Sequence, residues 1–414
     1  VSGVSDAFQP LSAGGVVYAV DASGAGIVAL DAGSGVFLWD QSLDNHVTNP
    51  SAGFIYQFTA QNGSVLVISE DATSQGFTET ITVLRGDTGA VQWTQTAPLG
   101  LPDAFPAIAI GDGQVFLAGV DAKSNGTLTA VDLAHGKQQW QFSLPTISRI
   151  DALMVDGGRI FTVMAGPKVE TWYALDAATG AKEWSSDGGV TFDGGVTFFG
   201  TADGTLFGGT ECNVNIGIGV LNAAGYCYNG ISEATGAVLW SFPYTMNYCA
   251  LFIIGCGPAA TAPSAWFVAD GAITMLYTSY LGNVLDSKTG GEAVNQQNVT
   301  TLKASTGGVL LRYQFPKTYS GGITTGTPPA SPPTANRIVG GDANANLYFE
   351  TTRGVISHID SAHQRVTWSF TVPAGETHNL FTSVAGQLYV LSRQSTLYAL
   401  AAKTGAIIWQ VALR

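Results

Sequence analysis

Residues 173–184 read YALDAATGAKEW. A strand ends in the pair Leu175-Asp176, a turn follows at Thr179-Gly180, and a second strand carries Trp184 four residues after that glycine. Apolar runs on either side of a Gly-containing turn signal a β-hairpin. The unit recurs along the whole chain. ALDAGSGVFLW ends at Trp39, VLRGDTGAVQW at Trp93, AVDLAHGKQQW at Trp140, ISEATGAVLW at Trp240, HIDSAHQRVTW at Trp368 and ALAAKTGAIIW at Trp409. TLKASTGGVLLRY completes the set of eight, with Leu311 where the tryptophan should stand.

Two further strands joined by a DG-type turn precede the copies, as in AIAIGDGQVFLAG, LMVDGGRIFTV, FFGTADGTLFGG and WFVADGAITMLY. Each repeat is therefore a four-stranded meander, A-B-C-D. One meander cannot bury both faces alone, but eight arranged radially bury each sheet against the next. The expected fold is all-β: a single eight-bladed propeller over residues 1–414, with blades ending near Trp39, Trp93, Trp140, Trp184, Trp240, Leu311, Trp368 and Trp409. The strand D tryptophan, large and with one N–H to satisfy, is expected to dock between blades and hydrogen-bond the neighbouring turn.

The AxDxxTGxxxW signature resembles the tryptophan-docking motif of the PQQ-like propeller superfamily, and it covers the whole chain. That superfamily includes quinoprotein alcohol dehydrogenases, the BamB lipoproteins of outer-membrane assembly, and the tetrathionate hydrolases of acidophilic sulfur oxidisers. The motif specifies the fold and leaves the function to the positions that break it.

Composition narrows the function. Charged residues are 11% of the chain, with 30 acidic against 17 basic and a net charge of -13. Such an acidic chain without a basic run is not a nucleic-acid binder. A surface poor in charge suits an extracellular protein of an acidophile, because in acid the protonated carboxyls no longer offset the cations and each spare Lys or Arg adds self-repulsion. An ordinary secreted protein with a Ser/Thr-rich surface is the other reading. No apolar stretch is long enough to span a bilayer and no signal-peptide pattern opens the chain, so a periplasmic or extracellular location is expected with any leader already removed.

Four cysteines, Cys212, Cys227, Cys249 and Cys256, lie within one segment. They read as two disulfides, expected as Cys212 with Cys227 and Cys249 with Cys256, although three connectivities are open. No CxxC spacing supports zinc and no CxxCH supports covalent haem.

Blades 5, 6 and 7 carry the excess length. TECNVNIGIGVLNAAGYCYNG enlarges the B–C connection of blade 5, MNYCALFIIGCGPAATAP the connection into blade 6, SYLGNVLDSKTGGEAVNQQN the B–C connection of blade 6, and KTYSGGITTGTPPASPPTANR the connection into blade 7. D–A and B–C connections share one face of a propeller, so a ligand site is expected there. The apolar run Leu251–Ile254 also suits a subunit interface, and a homodimer is a possible outcome.

Scarce charges near the starts of strand A stand out: His46, Asp103, Arg149, Asp151, Asp193, Arg337 and His378. Asp112, Asp156, Asp203 and Asp270 fall at A–B turns, and Asp31, Asp132, Asp176 and Asp360 belong to the repeat; both sets read as structural. Asp286, beside Lys288 and Glu292, is the first choice of acid–base residue, with Glu211 and Asp193 next. VLDSKTGG around Asp286 also mimics the repeat turn, so it also reads as a decayed repeat. Asn62, Asn125 and Asn298 open glycosylation sequons.

The resemblance implies three functions. A quinoprotein dehydrogenase holds PQQ beneath vicinal cysteines, which are absent, so no cofactor is expected. A BamB-like scaffold binds protein without catalysis. A tetrathionate hydrolase cleaves a small sulfur dianion in acid without a redox cofactor, and this is the expectation adopted. Arg149, Arg337, His46 and His378 would hold the sulfonate ends and a carboxyl such as Asp286 would carry the proton.

Overall fold

The computed structural model describes the chain except residues 1–9, 44–53, 62, 74–75, 97–107, 121–124, 145–148, 166–169, 188–196, 216–221, 245–258, 261–264, 270, 285–291, 316–317, 321–336, 342–346, 353–354, 361–364, 374–376, 381–385, 393 and 414. The chain forms eight antiparallel β-sheets, the blades of an eight-bladed β-propeller, each containing an A-B-C-D meander. It divides into two compact units, Val1–Gly188 with Glu376–Arg414, and Gly189–Gly375.

Unit 1 holds five blades. Blade 1 is Leu11–Ala13, Val16–Val20, Gly26–Asp31 and Phe37–Ser42; blade 2 is Phe54–Gln61, Ser64–Thr73, Gly76–Arg85 and Val91–Thr96. Blade 3 is Ile108–Gly111, Gln114–Val120, Gly126–Asp132 and Gln138–Leu144; blade 4 is Arg149–Asp156, Arg159–Ala165, Glu170–Asp176 and Lys182–Asp187. Blade 8 is Thr377–Leu380, Gln387–Ser392, Thr396–Ala401 and Ile407–Ala412.

Unit 2 holds the other three. Blade 5 is Thr197–Ala202, Thr205–Asn215, Asn222–Ser232 and Val238–Tyr244; blade 6 is Ala265–Ala269, Ala272–Val284, Glu292–Lys303 and Val309–Gln314. Blade 7 is Arg337–Gly341, Leu347–Thr352, Val355–Asp360 and Arg365–Thr371. Among successive blades 1 to 4, and again among blades 5 to 7, the A strands lie beside one another, so A is the inner strand and D the outer edge.

The A–B turns follow from their glycines. Asp112-Gly113 and Asp203-Gly204 have φ of 50° and 74°, and 51° and 71°, as do Gly14-Gly15 and Gly157-Gly158 at similar values. Two consecutive positive φ values make the two-residue turn whose twist matches the flanking strands. Asp156 is thus the last residue of strand A rather than a turn residue, because Gly157-Gly158 already supplies both left-handed positions.

The repeated tryptophan works across blades. Nε1 donates to a backbone carbonyl of the next blade: Trp39 to Gly86 (2.9 Å), Trp93 to Leu133 (2.7 Å), Trp140 to Ala177 (3.1 Å), Trp240 to Ala304 (2.7 Å) and Trp409 to Ala32 (2.9 Å). The indole then lies against the C–D turn glycine of that next blade. A Cβ on Gly89 would fall 2.6 Å from Trp39, and one on Gly35 2.7 Å from Trp409. Both glycines also have φ near 70°, so the position excludes a side chain twice over.

Within a blade the same tryptophan meets an aromatic from strand B over the first residue of the motif. Tyr18 and Trp39, Phe116 and Trp140, and Tyr389 and Trp409 have centroids 5.9 Å apart, and Phe161 and Trp184 6.2 Å. The strand C residue between them is Ala29, Ala130, Ala399 and Ala174 respectively, each fully buried. Only a small side chain leaves the rings room to touch. Blade 7 departs: buried His358 stacks on Trp368, 5.7 Å between centroids and 13° between planes, with Tyr348 on its other flank.

The long B–C connections continue the sheet instead of forming irregular loops. In blade 5 strands B and C pair from Thr205↔Ser232 out to Asn215↔Asn222, beyond the reach of strands A and D. In blade 6 they pair from Ala272↔Lys303 to Val284↔Glu292, and the extension is flanked by Ala259–Ala260 and Thr318–Ser320, giving a second tier of four strands. Continuing the ladder outward pairs the backbone groups of these stretches with each other.

Candidate functional site

The inner strands break the repeat. In strand A of blades 2, 4 and 8 one residue bulges out of the pairing: Tyr56 between Ile55 and Gln57, Asp151 between Ile150 and Ala152, and His378 between Thr377 and Asn379. The three bulges occupy one rung. They follow the partners Ile68, Val163 and Leu391, each four residues beyond the first strand B rung at Ser64, Arg159 and Gln387. A bulge inserts a residue without a cross-strand partner and turns the strand locally, a device common beside active sites.

By backbone register Tyr56, Asp151 and His378 therefore stand at one level of the inner strands of unit 1. Arg149 opens strand A of blade 4 opposite Ala165, two residues ahead of Asp151. In unit 2 the A-strand bulges of blades 5 and 7 sit two rungs nearer the A–B turn and carry Phe199 and Val339, which offer no acid–base chemistry.

The other expected residues are dispersed. Arg337 opens strand A of blade 7 opposite Glu350, and Glu211 lies in strand B of blade 5 opposite Tyr226. Asp286, Lys288, Asp193, Asp103, Asp270, His46, Cys249, Cys256 and Leu251–Ile254 lie outside the described residues. By number Glu211 and Arg337 belong to unit 2, and Tyr56, Asp151 and His378 to unit 1. Cys227 is disulfide-bonded and buried. It stands opposite Thr210, while Cys212 stands opposite Gly225, so the two cysteines share a sheet face on a diagonal. Among the described residues no cluster of three His, Cys, Asp or Glu is placed to hold a metal ion.

The repeat aspartates have structural partners. Asp31 accepts from Ser34 Oγ (2.6 Å) and N (2.8 Å), Asp176 from Thr179 Oγ1 (2.6 Å) and N (2.8 Å), and Asp132 lies 2.8 Å from His135 Nδ1 and accepts from Ala134 N. Side-chain hydrogen bonds first, then backbone ones, hold all three carboxyls below the ordinary aspartate value.

A cavity of about 340 Å³ lies between blades 1 and 2 at the turn end, lined by Gly14, Tyr18, Gln61, Ser64, Gly86 and Asp87 among others. The Tyr18 hydroxyl donates to Gly86 O at 3.2 Å, the carbonyl that Trp39 also uses. Burial, and then the charge of Asp87, push its phenol above the ordinary value. A Cβ on Gly86 would lie 2.7 Å from this hydroxyl, so a side chain here would require the tyrosine to shift.

The family model described as outer membrane protein assembly factor BamB, a PQQ-like repeat family, matches residues 2–208 and 228–414. The chain belongs to this family. The unmatched residues, 209–227, are the outer part of the blade 5 hairpin. The chain is similar in structure to the computationally designed Ika8 protein, at 13% identity over 99% of this chain and 97% of that one, with a TM-score of 0.52. BamB from Moraxella catarrhalis gives 14% identity over 93% and 91%, with a TM-score of 0.49. Quinohemoprotein alcohol dehydrogenase from Comamonas testosteroni gives 13% over 98% and 66%, with a TM-score of 0.42. At these identities the likeness is one of fold. No curated protein matches the chain. No helix among the described residues is long and apolar enough to cross a membrane.

Proposed function

We propose that the chain is a secreted, acid-active hydrolase of the tetrathionate type, with its site on the inner strands of unit 1. The observation that carries this reading is the single rung of A-strand bulges at Tyr56, Asp151 and His378, with Arg149 two residues ahead of Asp151 on the same strand. Arg149 and a protonated His378 supply charge-assisted hydrogen bonds to sulfonate oxygens, and Tyr56 supplies a neutral donor. Asp151 takes a proton from water as it attacks and returns one to the leaving sulfur. The balance closes without an oxidant: one tetrathionate dianion and one water give thiosulfate, sulfate, one sulfur atom and two protons.

Thiosulfate release from tetrathionate across pH 2 to 7, with no quinone or metal added, tests the proposal. Turnover confined to acid and lost in Asp151→Asn, with an unchanged urea midpoint, supports it. Turnover that survives Asp151→Asn removes this residue from the mechanism.

A second reading, a protein-binding scaffold of the BamB kind, is favoured by the extended hairpins of blades 5 and 6 and by the family's description. It predicts no turnover at any pH, and co-purification with outer-membrane proteins that is lost when residues 212–225 are replaced by a short turn.

A further inference from the structure

Two seams of unit 1 carry a tyrosine behind the docking tryptophan, and they are filled differently. Tyr389 of blade 8 faces blade 1, and Tyr18 of blade 1 faces blade 2. Each stands on the third rung of its strand B, opposite Ala399 and Ala29, and both are buried. The Tyr389 hydroxyl donates to Gln387 Oε1 at 2.9 Å and lies 3.5 Å from Ala32 O. Gln387 occupies the first rung of the same strand, opposite Ala401, so the chain itself lays a primary carboxamide on this phenol.

At the Tyr18 seam that carboxamide is missing. The first rung of strand B holds Val16, opposite Asp31. Ala60 stands in strand A of blade 2 where blade 1 has Ser12, each opposite the second rung of strand B, Val65 and Val17. Gly86 stands where blade 1 has Ala32, each donating its N–H to an A–B turn glycine, Gly63 and Gly15. All three exchanges remove side-chain atoms, and Val16, Ala60 and Gly86 all line the cavity of about 340 Å³. Buried Tyr18, Ser64 and Gly86 form its floor, and exposed Gln61 and Asp87 its rim.

The polar groups of the floor say what fits. The Tyr18 hydroxyl gives its hydrogen to Gly86 O, so toward the cavity its oxygen accepts. Ser64 adds a hydroxyl that can donate. A primary carboxamide matches both, its N–H meeting the phenol oxygen and its C=O the serine. Ala13, Val16 and Ala60 offer apolar wall to a short alkyl chain. Charged groups match poorly. Asp87 is already bound by Arg85 at 2.6 Å and does not draw a cation inward, while a carboxylate would meet the lone pairs of the phenol.

We propose that this cavity binds a small molecule carrying a primary carboxamide on a short aliphatic chain, set against Tyr18 as Gln387 is set against Tyr389. The site lies at the turn end of the seam and stands whether or not the inner strands are catalytic.

Isothermal calorimetry of the full chain with butyramide tests this, with melting temperature as the control for folding. One site per chain is expected, with a dissociation constant on the order of 1 mM for so small a ligand. Butyrate and butylammonium are each expected to bind about tenfold or more weakly. Val16→Gln, which supplies the carboxamide from within the chain, is expected to abolish binding. The converse triple variant, Gln387→Val with Ser12→Ala and Ala32→Gly, gives the Tyr389 seam the same lining and is expected to bind two. A wild type that binds no butyramide overturns the proposal, as does binding that persists in Val16→Gln, because the amide would then lie elsewhere. Equal affinity for the three probes overturns the ligand class. A folded triple variant that still binds one overturns the assignment of the lining.

Discussion

The blade seams and the inner strands obey opposite rules. At the five seams whose indole hydrogen bond is described, tryptophan Nε1 meets the next blade's carbonyl and the indole lies on a left-handed glycine, with an aromatic of strand B behind it at all but Trp93, where Leu66 takes that place. Along strand A nothing recurs but the ladder, and where it bulges unit 1 has Tyr56, Asp151 and His378 while unit 2 has Phe199 and Val339. Positions that hold blades together are fixed by packing. Positions that do not are free to carry chemistry, so function is to be sought where the repeat fails.

The contrast breaks most visibly at the seam between the last blade and the first. Trp409→Ala removes a buried indole and its hydrogen bond, and is expected to cost about 3–5 kcal/mol in urea unfolding. If the cost is below about 1 kcal/mol, the seam is not what holds blade 8 to blade 1.

A smaller effect is expected inside a blade. Ala174→Leu forces a side chain between Phe161 and Trp184 and should cost about 1–3 kcal/mol, whereas blade 7 accommodates His358 at the equivalent place by stacking it flat on Trp368. A neutral Ala174→Leu would mean that the ring pair is loose. Weaker still is the ion pair between strands B and D of blade 4, where Glu183→Gln removes the partly exposed partner of Arg159 and should cost about 0.2–1 kcal/mol, less in high salt.

Acid touches the seams through the turn aspartates. Asp31, Asp132 and Asp176 have folded values below their unfolded ones, so the unfolded chain binds more protons. Their contribution is complete above the unfolded value near 3.9 and is lost as pH falls through the depressed folded values. The urea midpoint is expected to decline in that window, and Asp176→Asn to flatten the decline. A slope unchanged in Asp176→Asn would assign the pH dependence elsewhere. The smallest stability change sharpens the comparison from the other side: Asp151→Asn in the inner bulge should alter the midpoint by less than about 0.5 kcal/mol.

Much of this was legible in the residues. The tryptophan motif gave the blade number and the C–D turns among the described residues, and Asp-Gly pairs gave the A–B turns at Asp112 and Asp203, whereas beside Asp156 the turn is Gly157-Gly158. The enlarged connections of blades 5 and 6 were legible as length but not as structure. TECNVNIGIGVLNAAGYCYNG has the alternation of a hairpin, yet a segment read as an insertion gives no reason to expect its ladder to continue outward. Asp151 and His378 were visible as scarce charges near strand A, but nothing in the sequence set them apart from His46, Asp103, Asp193 and Arg337. Tyr56 gave no signal at all, being one aromatic among many in a β-rich chain.

By itself the sequence determined that eight units would each fold into a meander, because the strand, turn and glycine preferences that decide this act over a few residues. Which tryptophan meets which glycine, and which residues slip out of register on strand A, was decided only by tertiary structure. The Trp and Gly of one motif stand four residues apart yet serve different seams, and a bulge exists only relative to the partner strand that it fails to match.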